Sequence, residues 1–202
     1  ETGSRNTAIG HSALSANISG GENTAIGDIA LRNNTQGGSN TALGYGSLTR
    51  NTTGSGNAAV GYNALGQNTT GSSNYAFGTF ALLGNRTGEN NAAFGHSAGY
   101  NLGSVGTSSG NLILGYRAGY NQTKGDNNIV IGYDVNVAST TSSNQLSIGN
   151  LIFGTSLNGT GSTISSGNIG IGSSSPSRKL TVAGDVYATG IVLSGTSTIT
   201  YA

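Results

Sequence analysis

Apolar and glycine positions recur along the chain at a fixed spacing of 17 residues. When each line of the repeat starts at an asparagine, eight lines begin at Asn6, Asn23, Asn40, Asn57, Asn74, Asn91, Asn111 and Asn128. One step is 20 residues long, and its three extra residues fall between Leu102 and Gly110. An insertion that leaves the regular part of a repeat intact is typical of a loop in a solenoid.

Two adjacent positions of the repeat carry the strongest pattern. Position 4 is always large and apolar, in Ile9, Ile26, Leu43, Val60, Phe77, Phe94, Leu114 and Ile131. Position 5 is always glycine, in Gly10, Gly27, Gly44, Gly61, Gly78, Gly95, Gly115 and Gly132. A glycine fixed in register indicates a positive φ or a close backbone approach, so we interpret these eight as structural glycines. Each line predicts a strand, a glycine corner, a second short strand and a polar Asn-Thr-Gly turn.

A repeat of 17 residues is too short for a helical hairpin and fits one coil of a parallel β-solenoid, with coils about 4.8 Å apart. The predicted fold is all-β, a solenoid or β-roll of 17-residue coils. The predicted regions are an N-terminal remnant at 1–5, the solenoid at 6–144, an irregular Gly/Ser/Thr connector at 145–167 and a β-rich C-terminal segment at 168–202. In the last of these, alternation at residues 180–182 and 191–193 predicts short strands.

Two apolar faces are predicted for each coil. Positions 3 and 4 point to opposite sides of a strand, yet both are apolar, and position 3 is alanine until Ile113 and Val130. Positions 8 and 9, mostly alanine and leucine, repeat this arrangement. One face would line the chain's own interior. The alanine side permits close backbone approach, and we interpret it as a subunit interface around a threefold axis. The alternative is a wider coil that buries both sides internally.

Two motifs resemble known families. The repeat, written NTAIG-x-x-AL-x-x-NTTG-x-x, resembles the head repeats of trimeric autotransporter adhesins and, more closely, repeats of bacteriophage tail fibres. Residues 168–190 resemble the NIGIG-x-x-x-P-x-x-KL-x-V-x-GD linker that leads to an intramolecular chaperone domain in such fibres; residues 1–202 do not include that domain. The resemblance covers residues 6–190. It implies a homotrimer with a β-roll fold, on a virion tail fibre or a cell surface.

Composition excludes several classes of function. Only 7% of the residues are charged and the formal net charge is +1, so no basic surface suggests nucleic acid. No apolar run reaches the roughly 20 residues of a membrane span. The absence of cysteine excludes disulfides, thiolate zinc sites and cysteine catalysis. No phosphate-binding or dinucleotide fingerprint is present. We expect no cofactor, no metal, no nucleic-acid partner and no membrane insertion.

The histidines and acids do not suggest catalysis. His11 and His96 both fall at position 6, which varies freely and is interpreted as solvent-facing. Acidic residues do not stack at one position of adjacent coils, whereas a glycosidase needs two carboxylates about 5 to 9.5 Å apart. We therefore expect that the repeat builds no acid–base pair and that the chain is not an enzyme.

Tyrosines, in contrast, recur at one position of neighbouring coils. Two pairs share position 6 and one pair shares position 10, and each pair is predicted to lie about 5 Å apart. Ladders of this kind beside an arginine could bind sugar rings. The candidate ligand-binding residues are Tyr45, Tyr62, Tyr100, Tyr116, Arg117, Tyr120 and Tyr133. The alternative is that these residues stabilise the surface or the subunit contact.

N-glycosylation sequons also recur. They lie at Asn17, Asn33, Asn51, Asn68, Asn85, Asn121 and Asn158. A sequon has meaning only in a eukaryotic secretory pathway, and Asn-Thr-Gly is common turn chemistry. We interpret them as turns.

Together these observations predict the structural and attachment segment of a homotrimeric, phage-type fibre. It would be extracellular and present a rigid rod to a host-surface glycan or protein. The alternatives are a bacterial cell-surface adhesin head, which rests on the same physics, and an inert spacer. An ice-binding solenoid needs a regular array of threonines. It is disfavoured because position 2 holds threonine only in the first three coils, up to Thr41.

Overall fold

The computed structural model describes residues 2–160 and 162–186, and these residues form one twelve-stranded sheet without a helix. The strands, in chain order, are β1 (Thr7–Ile9), β2 (Thr24–Ile26), β3 (Thr41–Leu43), β4 (Ala58–Val60), β5 (Tyr75–Phe77), β6 (Ala92–Phe94), β7 (Leu112–Leu114), β8 (Ile129–Ile131), β9 (Leu146–Ile148), β10 (Ile152–Gly154), β11 (Ile169–Ile171) and β12 (Leu180–Val182). Each strand pairs with the next one along the chain.

The parallel part of the sheet is a β-solenoid of about eight turns. Strands β1 to β9 all pair in parallel, and each occupies positions 2 to 4 of its coil. The three-residue insertion does not disturb the register, because Phe94 still pairs with Leu114. The prediction of an all-β solenoid with 17-residue coils is therefore confirmed.

The apolar half of the interior is built from positions 3, 8 and 9. Ala59, Ala64 and Leu65 show how one coil fills it, and all three are fully buried. At position 3 the assignment of the alanine side to a subunit interface is wrong, because these alanines line the chain's own interior. At positions 8 and 9 the alternative, a coil that buries both residues internally, is correct, since a single chain buries both of them. These positions form a tight turn, not the second short strand that we expected.

In the later coils the large interior side chain moves from position 9 to position 3. Position 9 is leucine in the first five coils but becomes Gly99 and Gly119 in the sixth and seventh. A Cβ at Gly99 would lie 2.9 Å from the Cδ1 atom of Ile113, and one at Gly119 would lie 3.3 Å from the same atom. The isoleucine therefore fills the space that leucine fills elsewhere, which keeps the interior close-packed.

The other half of the interior is polar and rests on two ladders of asparagine. One ladder occupies position 1 of every coil, and the other occupies position 12 of the first five. In the third coil, the Nδ2 atoms of Asn40 and Asn51 both donate to the carbonyl oxygen of Gly54, at 2.9 and 2.8 Å. Each amide also donates to the Oδ1 atom one coil earlier, in Asn23 at 3.1 Å and Asn34 at 2.8 Å. In this coil the buried amides are thus paired with backbone and with their own copies, as a polar core requires.

The corners of the coil depend on positive φ angles. The eight glycines at position 5 have φ between 128° and 141°, which confirms the positive-φ prediction for them. Positions 7, 9 and 17 are also left-handed, and there most residues are not glycine; Asn63, Leu65 and Ser73 have φ of 52°, 51° and 57°. Each such residue costs about 1 to 2 kcal/mol, so packing and hydrogen bonds between coils must offset the strain.

The stack of coils ends in a reversal of the chain. After β9, residues 149–151 turn back, and β10 runs antiparallel to both β9 and β11. The stretch 145–167, expected to be irregular, thus contributes β9 and β10. Strand β12 falls where alternation predicted it, whereas residues 191–193 lie outside the described residues. At the other end, residues 2–5 continue the register of the repeat, since the amide of Thr2 donates to Ile18 and that of Glu22 to Ser4.

Candidate functional site

One row of large apolar side chains runs along the outside of the whole sheet. The strand register places them in line from β1 to β12, at Ile9, Ile26, Leu43, Val60, Phe77, Phe94, Leu114, Ile131, Ile148, Ile152, Ile171 and Val182. We call this the outward row. None of its twelve members is buried. Eleven strand spacings of about 4.8 Å give it a length of about 50 Å.

The outward row is narrow at the N-terminal end and wider at the other. Position 2 points to the same side of the sheet, and there Thr7, Thr24 and Thr41 flank the row. From β7 onwards the flanking residue is large and apolar in most strands, as in Leu112 and Ile129. In the middle, the rings of Phe77 and Phe94 stack with centroids 5.0 Å apart. A parallel sheet is normally covered on both faces, so the open apolar row is a candidate interaction surface.

A second surface lies past the glycine corner, at positions 6, 7 and 10. The three predicted tyrosine pairs stack as expected, with ring centroids 5.2 Å apart for Tyr45–Tyr62, 5.0 Å for Tyr116–Tyr133 and 5.0 Å for Tyr100–Tyr120. The rings within each pair are within 20° of parallel. The predicted spacing of about 5 Å is therefore confirmed for all three pairs.

Two further rings join these pairs into one surface. Phe80, at position 7, meets the rings of Tyr62, His96 and Tyr100 edge-on, with centroids 5.3, 6.2 and 6.0 Å away. His96 stacks on Tyr116 at 5.3 Å. We call the continuous surface the aromatic band, and its members are Tyr45, Tyr62, Phe80, His96, Tyr100, Tyr116, Tyr120 and Tyr133. The sequence pattern missed Phe80 because this residue stands at a different position of the repeat from all its partners.

Arg117, at position 7 of the repeat, packs against the aromatic band. Its guanidinium carbon is 4.5 Å from the centre of the Tyr120 ring, which is the geometry of a cation–π contact. Its Nε atom is 3.2 Å from Oδ1 of Asp134, one coil further on. The structure thus brings Arg117 together with the predicted tyrosines and adds Asp134, which the sequence analysis did not select.

One expectation about the histidines is wrong. His11 and Asp28 stand at position 6 of adjacent coils, and the Nδ1 atom of His11 lies 3.2 Å from Oδ1 of Asp28. The repeat therefore does build one histidine–carboxylate pair, although both side chains are largely exposed. Across residues 2–160 and 162–186, no three His, Asp or Glu side chains are grouped so as to hold a metal ion. Position 6 is solvent-exposed in seven of its eight occurrences, as predicted.

The sequons divide into internal and external ones. Asn51, Asn68 and Asn85 belong to the asparagine ladder at position 12 and are fully buried. Their amides are committed to hydrogen bonds within the coil stack, so an attached glycan is incompatible with the folded chain. Asn33 and Asn158, by contrast, are exposed. The Asn-Thr-Gly motif therefore builds a polar core as well as a turn.

Fold and surfaces together define the class of the protein: it is a β-solenoid repeat protein with an open apolar row and an aromatic band. A scan of protein-family models, a search of curated proteins and a search of solved structures each found no match. Within the part of the chain that the structure describes, no helix has the length and hydrophobicity needed to cross a membrane.

Proposed function

We propose that the chain is the structural and attachment segment of a homotrimeric extracellular fibre of the phage tail-fibre type. The observation that carries the proposal is the outward row, which keeps a large apolar residue in every one of twelve strands. Burial of each such side chain is worth about 1.5 to 3 kcal/mol, so a second and a third copy of the chain would cover the row at a large gain.

The width of the row favours a threefold arrangement. Two sheets that pack face to face need an apolar surface several side chains wide. In β1 to β3 the row is one side chain wide and is flanked by threonine. A row one side chain wide suits subunits that converge on an axis parallel to the stack of coils. Each residue of the row would then contact the same residue of the other subunits. A closed cyclic trimer of this kind leaves the aromatic band, past the glycine corner, on the outside.

The aromatic band is the surface that we assign to attachment. It is a run of aromatic side chains on a rod whose other exposed corners are mostly small and polar. Tyrosine is favoured in recognition because it offers a large, rigid contact area and a hydroxyl group. A host-surface glycan or protein would bind there, and three copies on one trimer would raise weak affinities by avidity. We propose no catalytic role for the chain.

The oligomeric state tests the assembly part of this proposal. Light scattering on the purified chain should give three times the chain mass of 20.0 kDa. Phe94→Asp should lower the mass to that of a single chain, because a carboxylate would be buried at the axis. Tyr45→Asp is the matched control: both rings are stacked and similarly exposed, at 43% and 45%. A wild-type monomer, or equal effects of both changes, would contradict the proposal.

Cell binding tests the attachment part separately. Fluorescently labelled chain should bind target cells, and Tyr116→Ala combined with Tyr133→Ala should reduce the bound fraction while the trimer mass stays the same. If binding survives this change and the corresponding changes at the Tyr45–Tyr62 and Tyr100–Tyr120 pairs, the segment is an inert spacer.

A further inference from the structure

We propose that the ligand site of the aromatic band is its C-terminal end, where Tyr133 offers an open ring face to a neutral pyranose sugar. Asp134 and Arg117 would bind the hydroxyl groups of that sugar. This inference rests on the proposed attachment function and names the place and the ligand class.

Stacking closes ring faces in the interior of the band. A pyranose packs its C–H groups against the face of an aromatic ring, not against its edge. Tyr116 has His96 on one side at 5.3 Å and Tyr133 on the other at 5.0 Å. The ring of Tyr62 stacks on that of Tyr45 and stands perpendicular to that of Phe80, with centroids 5.2 and 5.3 Å away. Interior rings of a ladder therefore present mainly edges and hydroxyl groups to solvent.

The end of the coil stack opens one face of Tyr133. In each earlier coil the position-5 glycine has φ near 130° and leads into position 6, but Gly149 has φ of 59°. There the chain turns back into β10, so no coil continues past Tyr133 at this corner. Tyr133 is 77% exposed, whereas Tyr45, Tyr62 and Tyr116 are between 42% and 46% exposed. The difference in exposure marks the open ring face.

Polar groups stand beside that ring in a fixed geometry. Asp134 follows Tyr133 directly in a left-handed conformation, with φ of 50°. Its carboxylate lies 3.2 Å from Nε of Arg117, whose guanidinium rests on Tyr120. Both side chains remain 41% to 47% exposed, so the carboxylate can accept from sugar hydroxyls and the guanidinium can donate to them. An aromatic face with a few placed polar groups is the usual composition of a small-ligand site.

The ion pair also selects the class of sugar. The positive charge of Arg117 is already paired with Asp134, and Tyr133 brings no charge of its own. A carboxylated sugar on the Tyr133 face would meet the carboxylate of Asp134, and like charges repel at this range. The site therefore favours neutral hexopyranoses over acidic ones.

Saturation-transfer NMR on the trimer tests the proposal, with methyl glycosides of glucose, galactose, mannose and N-acetylglucosamine as neutral probes and N-acetylneuraminic acid as the acidic probe. At least one neutral glycoside should bind with a dissociation constant near the millimolar range. Tyr133→Ala should weaken that binding at least about tenfold, and Asp134→Asn should weaken it measurably with an unchanged circular dichroism spectrum. Tyr75→Ala, at a tyrosine that is 48% exposed but lies outside the aromatic band, is the control and should leave the affinity within about twofold.

Three results would overturn the proposal: no neutral probe binds, only the acidic probe binds, or Tyr75→Ala and Tyr133→Ala weaken binding equally. Trimer mass and cell binding, measured on the same samples, separate this failure from that of the proposed function. A trimer that binds cells but no neutral sugar contradicts only the present inference. A monomer, or a trimer that binds no cells, contradicts the fibre function itself.

Discussion

Replacement of Gly61 by alanine tests the physical basis of the solenoid corner. Gly61 has φ of +131°, a region that residues with a side chain rarely occupy. A Cβ atom there would lie 2.7 Å from both the carbonyl carbon and the carbonyl oxygen of Gly78 in the next coil, and 3.0 Å from the amide nitrogen of Thr79. Those atoms belong to backbone, and the amide of Gly78 is itself bonded to Val60 at 2.8 Å, so they have little room to move.

Two costs add up in this variant. Backbone strain at such a φ is about 1 to 3 kcal/mol, and overpacking against a neighbouring element costs about 1 to 3 kcal/mol more. We therefore expect Gly61→Ala to lower the free energy of unfolding by about 2 to 6 kcal/mol. Gly149 provides the matched control, because it holds the same repeat position after β9, has φ of +59° and has nothing within 4 Å of its Cβ site. Gly149→Ala should cost only the left-handed strain, about 1 to 2 kcal/mol.

Urea denaturation followed by circular dichroism measures the difference. Chain concentration must be equal in all samples, because the stability of an oligomer depends on it. The slope of the unfolding free energy with urea should stay the same, so that a shift of the midpoint reports stability. Equal losses for the two alanine variants would refute the argument, since the close approach of the next coil would then contribute nothing.

Two further predictions concern the interior. Asn51→Ala should destabilise the chain by about 2 to 4 kcal/mol in the same denaturation assay, because it leaves Oδ1 of Asn34 and Nδ2 of Asn68 with one fewer partner each. The control, Asn33→Ala on the surface, should change stability by less than about 0.5 kcal/mol. Similar losses for the two variants would contradict a stabilising role of the asparagine ladder. Ile113→Ala should lower the free energy of unfolding by about 2 to 5 kcal/mol. Gly119→Leu should destabilise the wild-type chain but restore stability to the Ile113→Ala variant, because the leucine would fill the vacated space. Additive effects of the two changes would show that the two positions do not share one space.

The period of the repeat was enough to predict the interior strands, the glycine corners and the tyrosine pairs. A fixed period places equal positions one coil apart, so Tyr116 and Tyr133 had to stack if the coils did. The period was not enough to predict the turn at positions 7 and 9. Asn63 and Leu65 adopt left-handed conformations there, and leucine has no intrinsic preference that would reveal this. The adjacent alanine and leucine at positions 8 and 9 therefore resembled a short strand.

The direction of the side chains was the other feature that the pattern left open. Positions 3 and 4 are both apolar, and only the closed coil shows that the small residue points inward and the large one outward. A narrow interior explains the choice, because the polar asparagine ladders take up half of it and leave room for alanine beside one leucine per coil. Phe80 was missed for a related reason, since its contacts cross repeat positions and depend on which way each ring points.

The strands that follow the regular repeat, β10 to β12, keep the outward row but not the inward residues. In β10, β11 and β12 the inward position holds Phe153, Gly170 and Thr181, three residues with nothing in common. The outward row nevertheless continues through Ile152, Ile171 and Val182, even though β10 runs in the opposite direction. A fold that needed only to pack its own interior would preserve the inward residues and release the outward ones. The opposite is found, which supports the proposal that another copy of the chain covers the row.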